Sequence, residues 1–200
     1  DDSPDEGLTL EVLRTLAYEY PFVTAVELAK NCGQHNATMA GLNYASGDII
    51  ISMDDDMQTH PSQIRIMKDK LEEGYDIVYG YYPEKKESAF RRFGSWMNKK
   101  MAETLLDWPK EVQATSFFVC RRLIVDEVLK YDKPYPYLDG LIIRATKNIG
   151  HVLVHQRERA AGSSGYTFAK LLKLWLNGFT AFSVKPLRLA TYTGAFIALV

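Results

Sequence analysis

"IIISMDDDMQTHP", Ile49–Pro61, runs an apolar, β-branched stretch straight into three adjacent aspartates. Three isoleucines without polar alternation read as a strand covered on both faces, the type found in parallel sheets flanked by helices. Asp54, Asp55 and Asp56 repel one another, so the free chain gains nothing from their adjacency. In open α/β sheets, ligands bind outside the carboxyl ends of the strands. An acidic cluster there attracts a hard divalent cation; Mg²⁺ takes one or two carboxylates and completes its shell with phosphate and water. In an extended segment Asp54 and Asp56 face one side, Gln58 is in phase with them, and Asp55 turns aside. A solvated acidic turn capping the helix at Pro61 fits the same spacing. On spacing alone both readings stand.

Working outward, Pro61 opens the helix "PSQIRIMKDKLEEG", which Gly74 stops. "DIVYGYY" is the next strand. Upstream, "QHNATMAGLNYAS" reads as a helix closed by Gly47, and "FVTAVELA" as a strand. "LTLEVLRTLAYEYP" places Leu8, Val12, Leu13 and Leu16 at helical spacing, with Ser3-Pro4-Asp5-Glu6 as its start. Repeated alternation of strand and helix predicts an α/β fold with a mostly parallel sheet and flanking helices. "DDSPDEG" is then a loop leaving a further strand. The second half is less regular. It reads as a helix over "ESAFRRFGSWMNKKMAETLL", a strand "QATSFFVCRR" and a short helix "LIVDEVLKY". A loop "DKPYPYLDG" and a helical stretch to about Asn148 follow, then a strand "HVLVHQRER" and a loop "AAGSSG".

The chain has 200 residues, 46% hydrophobic and 24% charged, enough for one sizeable core. A net charge of -1 gives no electrostatic case for nucleic acid. Cys32 and Cys120 lack any metal or disulfide spacing and read as reduced, buried residues in a reducing compartment.

Beyond Tyr166 the pattern changes. Thr167, Lys170, Lys173, Asn177 and Thr180 share one helical face; Phe168, Leu172, Trp175, Phe179 and Phe182 share the other. Basic amphipathic helices of this kind lie in membrane interfaces, although a surface helix packed on its own domain has a similar pattern. The apolar run from Leu187, with Arg188 at its start, is shorter than the roughly 20 residues a bilayer needs. It reads as the first turns of a transmembrane helix, with a C-terminal core helix as the alternative. Both ends of the chain read as cut.

Arg91 and Arg92 lie near a helix start, and Arg157 and Arg159 where a strand runs into "AAGSSG". Guanidinium forks match phosphate oxygens, while surface ion pairs are the plainer use of arginine. With the acidic cluster, they suggest a substrate carrying a diphosphate and a second phosphate.

The motifs "DDSPDEG", "NCGQHNATMAGLNYASGD", "MDDDMQTHP", "GYDIVYG", "FRRFGS" and "RERAAGSSGYTFAKLL", ending in "KPLR", occur in order. Together they resemble the family 2 glycosyltransferases that move a sugar from a nucleotide onto a polyprenyl phosphate. The likeness is to bacterial undecaprenyl-phosphate glycosyltransferases and, more distantly, to dolichol-phosphate mannose synthase. It covers nearly the whole chain; "DDDxQ" with "RxRxxGxS" is fairly specific, where a bare DxD would be weak.

The resemblance implies a GT-A fold, with a Rossmann-like half for the nucleotide-sugar and Mg²⁺ or Mn²⁺ on the DxD motif. By position, Asp54 and Asp56 would bind metal and diphosphate, with Gln58 assisting and Asp55 adjoining. Asp1 and Asp2 match the pair that contacts base and ribose. Lys30 and Asn31 stand where the family commonly has Arg-Asn, and Gln34 matches its motif; Cys32 departs from it. Arg92, Arg157, Arg159 and Ser164 would fall near the donor or acceptor phosphates. Gly165 stands where the family often has a lysine, which puts one phosphate contact in doubt; Lys170 is a replacement to test. The family's first strand and its nucleotide contacts are missing, so the chain as it stands is expected to bind donor weakly and to be inactive.

The expected organisation is a GT-A domain over 1–165, an amphipathic juxtamembrane helix over 166–185 and the start of a transmembrane helix over 186–200. The expected reaction is inverting: a lipid phosphate oxygen attacks the anomeric carbon and a nucleoside diphosphate leaves. Asp139 in "PYLDG" is the candidate base, an N-cap for the following helix being the alternative. Expected partners are a nucleotide-sugar, a polyprenyl phosphate, the cytoplasmic face of the inner membrane and other copies of the chain through membrane helices. A same-fold transferase acting on a soluble glycan or protein, and a non-catalytic membrane scaffold, remain as competitors.

Overall fold

The computed structural model describes residues 7–55, 57–82, 103, 109, 112–134, 136–155, 191–194 and 196–198. In chain order the elements are α1 (Leu8–Glu19), α2 (Gln34–Tyr44), β1 (Ile49–Ser52), a 3-10 turn (Pro61–Gln63), α3 (Ile64–Glu72) and β2 (Ile77–Tyr81). They continue with β3 (Phe118–Arg121), α4 (Arg122–Val128), α5 (Leu138–Ala145) and β4 (Ile149–Leu153).

The four strands form one sheet in the order β1-β3-β2-β4. β3 runs antiparallel to both β1 and β2, while β2 and β4 are parallel. The mostly parallel sheet expected from the alternation is therefore corrected to a mixed one. β1, β2 and β4 share one direction, and β3 is inserted between two of them against it. Apolar strands covered on both faces look alike whichever way they run, so periodicity carries no sign of direction.

One register row, Ser52, Phe118, Tyr79 and His151, crosses the whole sheet. Its face carries the larger core. Ile50, Ile77, Tyr79, Phe118 and Cys120 pack there with Met39 and Leu42 of α2, Ile124, Val125 and Val128 of α4, and Leu138, Leu141 and Ile142 of α5. The opposite face pairs Val78 and Val119 with Met67 and Leu71 of α3, Phe117 and Val154. Each fully buried side chain of this size contributes about 1.5–3 kcal/mol. The result is helix, sheet, helix, with the carboxyl ends of β1, β2 and β4 on one edge.

The other edge is held by two arginines at the β3–α4 junction. Arg121 donates to the carbonyls of Tyr75 (2.9 Å) and Leu71 (3.1 Å) at the end of α3. Arg122 donates to those of Ala45 (2.7 Å) and Gly47 (2.6 Å) beyond α2. Helix C-termini leave carbonyls without intrahelical partners, and guanidinium donors satisfy them.

Gly74 (φ 112°) stops α3 as expected. α2 ends at Tyr44 with extended backbone at Ala45 rather than running on to Gly47. Phe22–Ala29 is not a strand; among the described residues no strand pairs with it, and β-propensity without a ladder partner does not make a strand. α1 starts from Gly7 (φ 93°) and buries none of its residues. Cys120 is buried, its thiol pushed up to about 12 by desolvation, but Cys32 is exposed, against the expectation that both would be core. The helix start at Ser3–Glu6 and most of the helix read over "ESAFRRFGSWMNKKMAETLL" lie outside the described residues, as does the amphipathic stretch from Tyr166. Among the described residues no helix is long and apolar enough to cross a membrane.

Candidate functional site

β1 delivers Asp54 to the carboxyl-end edge, where its side chain is exposed. Both carboxylate oxygens are engaged. Gln34 Nε2 donates to Oδ1 at 3.2 Å, and the Ser116 hydroxyl donates to Oδ2. Three separate elements meet in this contact. Gln34 is the first residue of α2, and its cap Gly33 has φ 86° and ψ 158°, a backbone conformation open essentially to glycine alone. Ser116 stands just ahead of β3, whose Phe118 lies opposite Ser52. The antiparallel course of β3 is what returns the chain to the carboxyl end of β1.

The capping alternative for the acidic turn does not hold. The cap of the Pro61 turn is His60, whose Nδ1 accepts from Ser62 N–H at 3.2 Å. Asp55 is exposed, as Asp54 is. Met57 has φ 59°, so the backbone is not extended at that residue and the alternation that put Gln58 in phase does not run through it. Gln58 is half-buried.

Asp139 occupies the first turn of α5, but the cap of that helix is Tyr137. The N-cap reading of Asp139 is therefore corrected. Desolvation pushes its carboxyl from 3.8 up to about 6. A helix N-terminus favours a carboxylate, so burial outweighs the dipole here. Burial first, and the Asp139 charge second, hold the Tyr79 hydroxyl well above its ordinary value and raise that of Tyr137. The Tyr79 ring lies 5.9 Å from Phe118 edge-on and stacks 6.2 Å from His151. Tyr137 meets His35 edge-on at 5.6 Å. His35 follows Gln34 on α2, so the N-termini of α2 and α5 converge beside Asp54. Burial lowers the pKa of His35 and His151.

Lys30 and Asn31 lie exposed in the bend that leads to Gly33. Asp1, Asp2, Asp56, Arg92, Arg157, Arg159 and Ser164 lie outside the described residues. Ser116 was not a candidate on sequence, and its role follows only from the direction of β3. Among the described residues no three His, Cys, Asp or Glu side chains form a metal cluster. What the edge offers is an exposed carboxylate beside a hydroxyl, an all-oxygen donor set suited to a hard cation that keeps water and substrate oxygens in its shell.

A mixed α/β sheet with an acid at the carboxyl end of a strand defines the class, the open-sheet proteins, in which ligands bind on that edge. The profile of Glycosyl transferase family 2 matches residues 1–129, and the chain belongs to that family. It is 33% identical over 200 residues to the undecaprenyl-phosphate 4-deoxy-4-formamido-L-arabinose transferase of Yersinia enterocolitica, covering all of this chain and 61% of the relative. It is 31% identical over 199 residues to the uncharacterized glycosyltransferase YkcC of Bacillus subtilis, covering 99% of this chain and 61% of the relative. The chain thus spans 61% of the length of these relatives. Among solved structures, glucosyl-3-phosphoglycerate synthase of Mycobacterium tuberculosis superposes with a TM-score of 0.54 at 18% identity, over 76% of this chain and 53% of that one. A second structure of that enzyme, with Mn²⁺, uridine diphosphate and glucosyl-3-phosphoglycerate, gives the same TM-score of 0.54. The fold is the one these enzymes share.

Proposed function

We propose that the protein transfers a sugar from a nucleotide-sugar onto a polyprenyl phosphate, undecaprenyl phosphate by likeness to its relatives, for cell-envelope glycan synthesis or modification. One observation carries the reading. Asp54 stands at the carboxyl end of β1, fixed from two sides by Gln34 and Ser116, in a chain that aligns over its own length with 61% of a named undecaprenyl-phosphate sugar transferase.

Asp54 and Asp56, with Gln58 as a further oxygen donor to test, would hold Mg²⁺ or Mn²⁺, which would offset the charge developing on the leaving diphosphate. The Mn²⁺ bound in the structure of glucosyl-3-phosphoglycerate synthase supports that choice of ion. Asp1, Asp2, Lys30 and Asn31 serve the nucleotide. Gln34 and Ser116 hold Asp54 in one orientation, so the carboxylate does not reorganise when the donor binds. Arg92, Arg157, Arg159 and Ser164 bind phosphate oxygens and offset the charge of the acceptor.

The acceptor oxygen attacks the anomeric carbon from the face opposite the leaving diphosphate, which inverts that centre. A phosphate monoester is largely ionised near neutral pH, with a second pKa of about 6, so positioning carries more of the rate than proton removal. Asp139 takes any proton the attack releases. The segment 166–185 lies along the membrane surface on the cytoplasmic face of the inner membrane, 186–200 begins the anchor, and anchors of neighbouring copies associate.

The test is an assay of the full-length protein in membranes with undecaprenyl phosphate, Mg²⁺ or Mn²⁺, and a panel of UDP-, GDP- and CDP-sugars. Labelled sugar should enter the lipid phase with one donor class. Transfer only to a water-soluble phosphorylated acceptor would replace the lipid acceptor; no transfer with any donor would overturn the reading.

A further inference from the structure

Gln63 closes the 3-10 turn that follows the acidic loop, and its side chain is buried. Its Nε2 donates to the His155 carbonyl at 2.7 Å, and its Oε1 accepts from His155 N–H at 2.8 Å. This is the reciprocal pairing that a neighbouring strand would supply, made by one side chain to a residue 92 positions away. One residue earlier, Val154 N–H still donates to Tyr81 O at 2.9 Å, so Gln63 takes over where the β2–β4 ladder stops. A second tie runs from the same segment. The hydroxyl of Thr59, also buried, lies 2.7 Å from that of Tyr82, the residue just past β2. The chain following the acidic cluster is thus bonded to the exits of both β2 and β4. Neither tie belongs to the sheet ladder. Arg157 comes two residues after His155 in the chain.

We propose that Gln63 is a positioning residue, seconded by Thr59, that fixes the chain following the acidic loop against the exits of β2 and β4, the latter two residues ahead of Arg157 in the sequence. The inference rests on the transferase reading above. In that reading one side holds the leaving diphosphate and the other the attacking phosphate, and small misplacements between reacting groups cost rate out of proportion to their effect on binding.

The experiment uses the full-length protein with Gln63→Met, Thr59→Val and Thr59→Ser. Gln63→Met keeps an unbranched side chain of similar length and loses both hydrogen bonds. Expected for it is a fall of about tenfold or more in kcat/KM for undecaprenyl phosphate, with donor affinity within about twofold of the parent. Thr59→Val should follow it in direction, and Thr59→Ser, which keeps the hydroxyl, should restore parent kinetics. A folded Gln63→Met protein with parent kinetics overturns the inference. So does a loss that falls equally on donor affinity and acceptor turnover, since that reports general damage. Amide exchange at His155 judges the clamp apart from catalysis. It should speed by about tenfold or more in Gln63→Met, and exchange at the parent rate removes the clamp. Absence of any transfer in the parent defeats the transferase reading instead.

Discussion

Gln34 on α2 donates to Asp54 beyond β1 across 3.2 Å, and Ser116 approaches the same carboxylate from the start of β3. The charge is therefore fixed by neutral donors, with no cation neutralising it in that contact. Asp54→Asn keeps the shape and removes the charge. Transfer by the full-length enzyme should fall by about 100-fold or more, the scale of losing one preorganised electrostatic group. Asp56→Asn should do the same, and Asp55→Asn should cost least. Gln34→Ala should cost roughly tenfold, because it frees the carboxylate without discharging it. Rates at saturating metal, with melting curves for each variant, separate these outcomes.

Gly33 makes that contact possible. At φ 86° and ψ 158° a side chain is strained, although nothing lies within 4 Å of where a Cβ would stand. The penalty of Gly33→Ala is thus in the backbone and not in a clash. Stability should fall by about 1–3 kcal/mol, measured by denaturant unfolding. Relaxing the strain moves Gln34, so affinity for donor should fall with it.

The parts of this arrangement that sequence revealed are those with local causes. Isoleucines at 49–51 announced β1, Pro61 and Gly74 bracketed the turn and α3, and acids at a strand end announced the edge. What stayed hidden depends on distant chain. Nothing within "QATSFFVCRR" tells that the strand runs against its neighbours, so Ser116 could not be placed beside Asp54. Phe22–Ala29 has strand composition but joins no ladder among the described residues. Period-two counting past Asp55 assumed extended backbone, and Met57 at φ 59° interrupts it. Gln63 read as an ordinary helix residue, because its partner lies beyond β4.

Gly80 in β2 is fixed by sterics alone. A Cβ there would stand 2.7 Å from Phe117 Cδ1 and 3.1 Å from both Met67 Sδ and Val154 Cγ2. Gly80→Ala should destabilise by about 1–3 kcal/mol through overpacking. Adding Phe117→Leu, which removes the ring edge, should recover part of that loss. Equal melting temperatures for the single variant and the parent would contradict the tight contact.

Asp139 predicts a pH signature whose sign is fixed by its burial. In the fold its carboxyl holds a proton up to about 6, whereas its ordinary value is 3.8. Between those values the folded chain binds more protons than the unfolded one, so this group's contribution to stability falls as pH rises. The contribution is complete below the ordinary value and lost once pH passes through the folded one. Tyr79 and Tyr137, raised above the usual tyrosine range, do not ionise in this window. Burial moves His35 and His151 down from their ordinary 6.5, toward the same window, so a variant is needed to isolate the carboxyl. Asp139→Asn should flatten the slope of stability between about pH 4 and 6 and melt no lower than the parent at pH 7. As the base, Asp139 works only when ionised. The parent's transfer rate should therefore rise through about pH 6, and Asp139→Asn should lose that limb with a rate lower by about 100-fold or more. A variant that keeps both the rising limb and the rate assigns the limb to the acceptor phosphate and leaves Asp139 a structural acid.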